Sequence, residues 1–469
     1  MGRVGTPFSI VSSKVAARAA LFLIGAIAAG SRAHANVGEA YGLGSRHGAL
    51  VGIGASEMDT PFAAFTNPAS LSREVDTQAS GASTSTGTSN KRFWAGIGLI
   101  VMDPSFTPID GVIVSNDFVS GQNSAPRSVD TNYQASIGQV VGLNYVVAPE
   151  LWNLGVGVTS YLPLQQIAGF DSGEPFAPEY PLYRSRMQRS QFGVGIGVQP
   201  VRGVRFGAGF HVGYKLTGGT TLYVTTENGK PSSMRFVAET RPKASPYFGA
   251  MADLTESIRA GLTVRLPLAT TGDFQIRSTA RIVGEFDLAF SSGSTLIYDP
   301  LSVELGTSWK QSERSVTHVQ LDFQRWSRYE IPAFEIRNPT ASECDPACGL
   351  AVSPSINPTG SFRDIWVPRI GHELGVGERT TLRMGYGYRP SILGALPTGQ
   401  GNLLDPGKHM FSVGAGFRLG DGSWSLDTHL AYHLLETVRV TKSGTEIGAP
   451  GYEAGGKILG GGVSLSLAL

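Results

Sequence analysis

Long apolar runs are almost missing from this chain. Past the N-terminus none reaches the ~20 residues a membrane-spanning helix needs, which excludes a helical membrane protein. Charge is scarce as well: 16% of the 469 residues are charged, and 38 basic against 37 acidic residues leave a formal net charge of +1. No clustered positive charge therefore marks out a nucleic acid or an anionic membrane surface as a partner. Cysteine occurs twice, at Cys344 and Cys348. In an exported chain a C-x-x-x-C pair in a Pro/Ser/Asn-rich segment reads as a small disulfide staple in an exposed loop. A redox or metal role is the alternative, but metal sites take three or four ligands and neither His372 nor His409 lies close in sequence. Catalytic signatures are missing too. No Gly-x-Ser-x-Gly elbow joins a strand to a helix, and the Gly-x-Gly pattern of Gly193–Gly197 sits inside a strand with no helix to cradle phosphate. The chain reads as a non-enzyme without metal or cofactor.

What the chain has is glycine, 61 residues of it, and alternation. Phe206, Ala208, Phe210, Val212, Tyr214 and Leu216 alternate with Arg205, Gly207, Gly209, His211, Gly213 and Lys215, so one face is greasy and the other small or charged. The pattern recurs in Phe192–Val198, in Ile258–Leu266 against Arg259, Gly261, Thr263 and Arg265, and in Trp424–Leu434. A soluble sandwich also alternates. About fourteen such segments, joined alternately by tight turns and long polar loops, fit an outer-membrane barrel better. Val201-Arg202-Gly203 and Gly420-Asp421-Gly422 are tight joints expected at the periplasm; residues 171–186, 337–362 and 391–408 are long ones expected outside. Fifteen segments can be drawn, the first, 77–86, weak and polar. Because single-chain bacterial barrels usually hold an even number, it is set aside and an all-β, 14-stranded antiparallel barrel is expected over 77–469. The alternating stretch 279–290 is expected as a hairpin outside the membrane. The last strand alternates to its final residue, Leu469, so the chain can close on its first strand and leave no edge.

Two N-terminal regions differ from this wall. Arg3, Lys14 and Arg18 precede the apolar run 19–30, and Ala33-His34-Ala35 supplies a small-x-small cleavage pattern; residues 1–35 read as a signal peptide, with a membrane anchor as the alternative. Residues 36–76 carry Gly42, Gly44, Gly48, Gly52 and Gly54 and keep neither period. Their apolar, turn-rich stretch Pro61–Leu71 is expected to plug the lumen, since loop backbone at membrane depth must be surrounded by protein or water. A flexible periplasmic arm is the other reading.

Four elements in order carry a family resemblance: Asn67-Pro68-Ala69; Trp326-Ser327; Phe362-Arg363-Asp364 with Leu382–Ser391 and Asp405–Phe411; and Glu453-Ala454-Gly455-Gly456-Lys457. Through them the mature chain resembles the outer-membrane FadL/TodX-type (OMPP1) transporters of hydrophobic compounds. The resemblance implies a 14-stranded barrel closed by an N-terminal hatch in which Asn67, Pro68 and Ala69 form the turn, and a ligand pocket between hatch and wall. Phe62, Phe65 and Trp326 are expected there, with Lys215 and Arg337 as candidates to meet a carboxylate. It also implies sideways release through a kinked third strand, for which Leu151–Leu162 with Gly155 and Gly157 corresponds; inward glycines that merely relieve crowding are the other reading. The loop between Lys215 and Pro246 is shorter than in fatty-acid members and shows no helix. Passive uptake of long-chain fatty acids or other hydrophobic compounds is the expected function. The alternatives are a general diffusion porin, an aromatic hydrocarbon channel, or a scaffold barrel of a secretion machinery. Expected partners are hydrophobic small molecules, outer-membrane lipid and lipopolysaccharide, and the outer-membrane assembly machinery.

Overall fold

The structure, a computed structural model, describes residues 42–57, 60–73, 91–114, 126–164, 177–180, 182–183, 190–225, 232–281, 285–329, 335–337, 362–396, 401–444 and 446–469. Residues 1–35, expected as a signal peptide, both cysteines and the segment 77–86 lie outside them.

Fourteen antiparallel strands close on themselves. In chain order they are β1 (Phe93–Phe106), β2 (Ser136–Ala148), β3 (Leu154–Pro163), β4 (Gln191–Val201), β5 (Val204–Thr225), β6 (Ser233–Asp253) and β7 (Ile258–Arg265). The second half is β8 (Leu301–Ser312), β9 (Ser315–Arg325), β10 (Ile365–Val376), β11 (Thr380–Arg389), β12 (Lys408–Leu419), β13 (Trp424–Thr441) and β14 (Gly451–Ala468). The seam is the antiparallel pairing of β1 with β14, from Trp94 opposite Ala468 to Phe106 opposite Gly456. Leu469 adds one further exchange, donating to Phe93 O and accepting from Phe93 N. No strand edge is left at the seam, which satisfies the backbone at the depth where lipid offers no hydrogen bonds.

Alternation assigns the two faces. Phe206 and Phe210 are 48% and 55% exposed, whereas Arg205 between strand neighbours is 5% exposed. The outward set continues round the wall through Val194, Ile196, Leu305, Trp309, Ile370, Met384, Val413, Leu430 and Val463, all exposed. An unbroken ring of exposed aliphatic and aromatic side chains on a closed barrel is a lipid-facing belt, so the barrel spans a membrane.

Tight turns cluster at one end, including Arg202-Gly203 and Gly420–Ser423, and longer connections at the other. At the loop end β5 and β6 run on well past the belt, to Thr225 and back from Ser233, where a loop had been expected. The expected hairpin exists and is longer than 279–290: Leu268–Arg281 pairs with Glu285–Asp299, and its first strand lies parallel to the upper part of β5, Gly272 opposite Leu216. The segment expected as one strand over 295–310 is therefore two, split at Pro300.

The lumen is filled by the N-terminal residues 42–57 and 60–73. It forms a short helix α1 (Ser45–Ala49), a second, α2 (Ala63–Thr66), and a 3-10 turn over Pro68–Leu71. Such short helices are too brief to hold themselves together. Wall glycines let them come close: Gly96 faces Pro61, Gly142 faces Phe62, Gly207 faces Pro68, Gly249 faces Asn67, Gly261 faces Ala55 and Gly371 faces Leu50. A β-carbon on any of these would overlap the hatch. Gly261→Val is therefore expected to leave the barrel able to form, read as heat-modifiable gel migration, while residues 42–73 become sensitive to limited proteolysis. The outward Leu262→Ala should leave both readouts unchanged.

Candidate functional site

Irregular backbone carries orphan N–H and C=O groups, and at membrane depth they must be paired from nearby. The wall does this with side chains. Ser464 Oγ accepts from Ser45 N at 3.0 Å, and Ser412 Oγ donates to Ala49 O at 2.6 Å. Arg369 donates to Val51 O at 2.5 Å, and Gln320 Oε1 accepts from Gly54 N and Ala55 N at 2.9 and 3.0 Å. Asn144 Nδ2 donates to Thr60 O at 2.8 Å, and the Tyr247 hydroxyl donates to Ala64 O. Arg265 Nη2 donates to Phe65 O and Thr66 O at 2.6 and 2.9 Å, meeting the carbonyl end of α2, where a cation is favoured. Counting the glycine contacts, each of the fourteen strands meets the hatch, so it reaches the wall all the way round.

Asn67 is the most connected residue of this plug. Its Nδ2 donates to Ala55 O at 2.6 Å, to Leu262 O at 3.2 Å and to Ala250 O at 3.3 Å, joining two parts of the hatch to β6 and β7. Its Oδ1 accepts from Ala69 N at 3.0 Å and caps the turn. Pro68 occupies the first position of that turn, where no N–H is needed and its fixed φ fits. Ala69 is wholly buried, beside Gly207, and has no room for a larger side chain.

At the turn end the contact is ionic. Arg46 of α1 lies 3.2 Å from Glu57 and 2.8 Å from Glu373; Arg383 lies 2.7 Å from Glu373 and 2.6 Å from Asp427. His318 Nε2 is 3.0 Å from Glu373, and its Nδ1 is 2.7 Å from Ser308 Oγ. A serine, an imidazole and a carboxylate in that order resemble a hydrolytic relay. Here the carboxylate is shared by two guanidinium groups and Ser308 Oγ sits 2.7 Å from Ser56 Oγ of the hatch, so the chain of contacts ties plug to wall. Two cavities flank it, about 340 Å³ beside Arg46, Arg383 and Asp427, and about 180 Å³ beside Glu57, Arg259 and His318. Both are polar. Among the described residues no group of His, Cys, Asp and Glu is placed to hold a metal ion.

The loop end is aromatic instead. Trp326 packs edge-on against Tyr298 and Tyr329, with centroids 6.1 and 5.9 Å away, and Tyr329 meets Phe362 at 4.7 Å. A second cluster stacks Phe106 on Tyr180 at 4.2 Å, with Tyr133 and Tyr183 around them. Tyr180 is fully buried, and its hydroxyl both donates to Gly455 O and accepts from Gly455 N. Burial pushes that hydroxyl up to about 12, so it stays protonated and able to donate.

The residues proposed from sequence do not form one pocket. Phe62 and Phe65 are buried inside the hatch joint, Phe65 stacked on His211 at 5.2 Å; Trp326 belongs to the mouth. Lys215 stands on the inward face of β5, opposite Arg241. Arg337 pairs with Ser291 on the outer hairpin, away from the wall. Gly155 and Gly157, the glycines expected at an opening, lie on the inward face of β3, which is laddered to β2 from Gly138–Pro163 to Val146–Gly155 and to β4 from Gly155–Gly197 to Tyr161–Gln191, and both seat Leu71 of the hatch. The wall anchors were missed as a set. Arg265 and Thr263 were visible as the polar face of one alternating segment, but nothing in the sequence tells which inward residues meet hatch carbonyls.

No family model matches the chain, and no curated protein matches it in sequence. Solved structures do match in fold. A Pseudomonas aeruginosa FadL homologue superposes with a TM-score of 0.53 at 12% identity, over 91% of this chain and 98% of that one. The P. putida toluene transporter TodX gives 0.54 at 14% identity, over 92% and 99%. The monoaromatic hydrocarbon channel CymD gives 0.52 at 12%, over 92% and 98%. The chain has the fold of the FadL/TodX-type outer-membrane channels.

Two variants probe the plug. Asn67→Ala strips a donor from three buried carbonyls and should loosen the hatch by about 1–3 kcal/mol, seen as faster hydrogen exchange over residues 60–73 with the barrel amides unchanged. Glu57 is 2% exposed, and burial raises its carboxyl to about 7 despite Arg46. The docked hatch thus favours the protonated form; that stabilisation is full below the ordinary carboxyl range and lost as pH rises through about 7. Glu57→Gln should therefore hold the hatch more firmly than the parent at pH 8, by up to about 3 kcal/mol, and equally at pH 3. Comparing the two proteins removes the opposing contribution of His47, which burial lowers to about 3 in both.

Proposed function

We propose that this barrel is an outer-membrane channel for passive uptake of hydrophobic small molecules, which bind above the hatch and leave sideways into the bilayer. The observation that carries this reading is the polarity gradient along the lumen. An apolar solute meets aromatic side chains at the mouth, each buried CH₂ contributing roughly 0.8 kcal/mol. Below it stands a hatch anchored all round, and beyond that the Arg46, Arg383, Glu373 and Asp427 cluster. Passage straight through would require breaking those desolvated ion pairs without replacing them. Exit into lipid avoids that and never returns the solute to water.

Solved structures of the same fold are described as a toluene transporter and a monoaromatic hydrocarbon channel, which supports an uncharged aromatic solute; inward Lys215 would suit the carboxylate of a fatty acid. The turn end faces the periplasm and the mouth faces outward, among lipopolysaccharide. The belt takes outer-membrane lipid, and the closing strand β14 is the element an assembly machinery would engage.

Cells with and without the gene, given labelled toluene or labelled long-chain fatty acid, should differ in the rate of accumulation of at least one of them. The purified protein in planar bilayers should show no large steady conductance. Porin-like currents, or identical uptake of both solutes with and without the gene, would refute the proposal.

A further inference from the structure

The hatch is docked in two pieces. Residues 42–57 are held by β8 to β14, through Ser308, Gln320, Glu373, Ser412 and Ser464, with β7 touching Ala55 at Gly261. Residues 60–73 are held by β1 to β7, from Gly96 against Pro61, through Asn144 and Tyr247, to Arg265. Between the pieces runs a cleft, crossed by Asn67 Nδ2 on Ala55 O and by the Phe62 ring packed on Gly44. Cavities lie along it. The one of about 340 Å³ has Gly44 and Arg46 of one piece and Thr60 and Phe62 of the other in its wall, and it reaches the turn end at Gly422. A smaller one of about 10 Å³, room for about one water, lies deeper, between Gly52 and Gly54 on one side and Phe65 and Thr66 on the other.

His47 lines both cavities and so stands as the partition between them. It is 5% exposed. Leu43 N donates to its Nδ1 at 3.0 Å, which puts the proton of the neutral ring on Nε2. That Nε2, though the Gly52 carbonyl is near, completes no hydrogen bond among the described residues. Thr66 Oγ1 is likewise buried and without a partner there. Both side chains face the space left by the missing side chain of Gly54, where a β-carbon would lie 2.9 Å from His47 Nε2 and from Thr66 Cβ. A buried donor and a buried hydroxyl that converge on room for one water call for that water. Gln324 closes the small cavity above, its Oε1 accepting from Trp326 Nε1 of the mouth cluster at 2.9 Å.

We propose that the cleft between the two pieces of the hatch is a polar path for water and neutral solutes of its size. It runs from the turn end through the larger cavity, past His47, to a water held by His47 Nε2 and Thr66 Oγ1 below the mouth. This path goes beyond the channel reading and does not depend on it. Ions are refused. Arg265 and Arg369 flank the small cavity and lie 3.2 and 3.0 Å from Glu304 and Asp322, so the field there favours neither sign and replaces none of the hydration that a bare ion would lose.

The test is osmotic. The purified protein in proteoliposomes is mixed rapidly with hyperosmotic sucrose and shrinkage is followed by light scattering, beside protein-free vesicles and vesicles holding Thr66→Val, which keeps the shape of the side chain and loses its hydroxyl. Parent vesicles should shrink several-fold faster than protein-free ones without ionic conductance. Thr66→Val should lower the protein-dependent rate by up to about tenfold, as the loss of one hydrogen bond at the narrowest point implies. If hydrogen exchange over residues 60–73 shows that Thr66→Val has loosened the hatch, Gly54→Ala decides instead: its methyl group occupies the space between His47 and Thr66, and shrinkage should fall to the protein-free rate. Parent shrinkage no faster than that of protein-free vesicles overturns the path, as does a parent-like rate in a docked Thr66→Val or in Gly54→Ala. Entry of glycerol as fast as water overturns it too, because the hatch as a whole would then be loose.

Discussion

Everything in this barrel depends on the pairing of hatch backbone with wall side chains. The short turns of 42–57 and 60–73 pair only part of their own backbone, and a lumen within a bilayer supplies little free water for the rest. Each unpaired group would carry a penalty of about 1–3 kcal/mol. Arg265, Gln320, Arg369, Asn144, Tyr247, Ser412 and Ser464 reach inward from seven different strands to remove it. The inward polar residues of the wall are thus the second half of the plug. Charged residues are few in this chain, and several of them are spent on that joint.

Glycine sets the distance at which the pairing works. Side chains as short as serine and threonine can bridge hatch to wall only if the backbones nearly touch, and the glycines at 207, 249, 261 and 371 permit that approach. Glycine in a strand is usually a weakness. In this wall the loss is offset because the space it leaves is filled by another part of the same chain. By the same logic Gly155 and Gly157 give Leu71 its seat.

The barrel could be read from the sequence because its signal is local. Period-two alternation in segments such as Phe206–Leu216 fixes which side chains meet lipid, and repetition of that pattern sets the number of strands. The outer hairpin was visible for the same reason, although only its middle. The site was less legible, since it is built by contacts between residues hundreds of positions apart, such as Ser45 with Ser464. Asn67-Pro68-Ala69 stood out because a turn has a local signature, whereas the burial of Phe62 and Phe65 in the joint depends on distant partners such as His211. The departure of the chain from the wall after Arg265 left no mark either. Leu266-Pro267-Leu268 reads as the end of one strand, and only pairing with β5 shows where the next one goes.

The seam gives the first and last parts of the described chain a common fate. β14 closes the wall against β1, and the same strand offers Ser464 to the first turn of α1 and lies beside it. The hatch is therefore not fully seated without β14: lacking Gly451–Ala468, the start of the hatch has no partner on that side. A barrel lacking β14 would have an open edge in the membrane and an unlatched plug at once, so that closure of the wall and seating of the plug depend on the same strand.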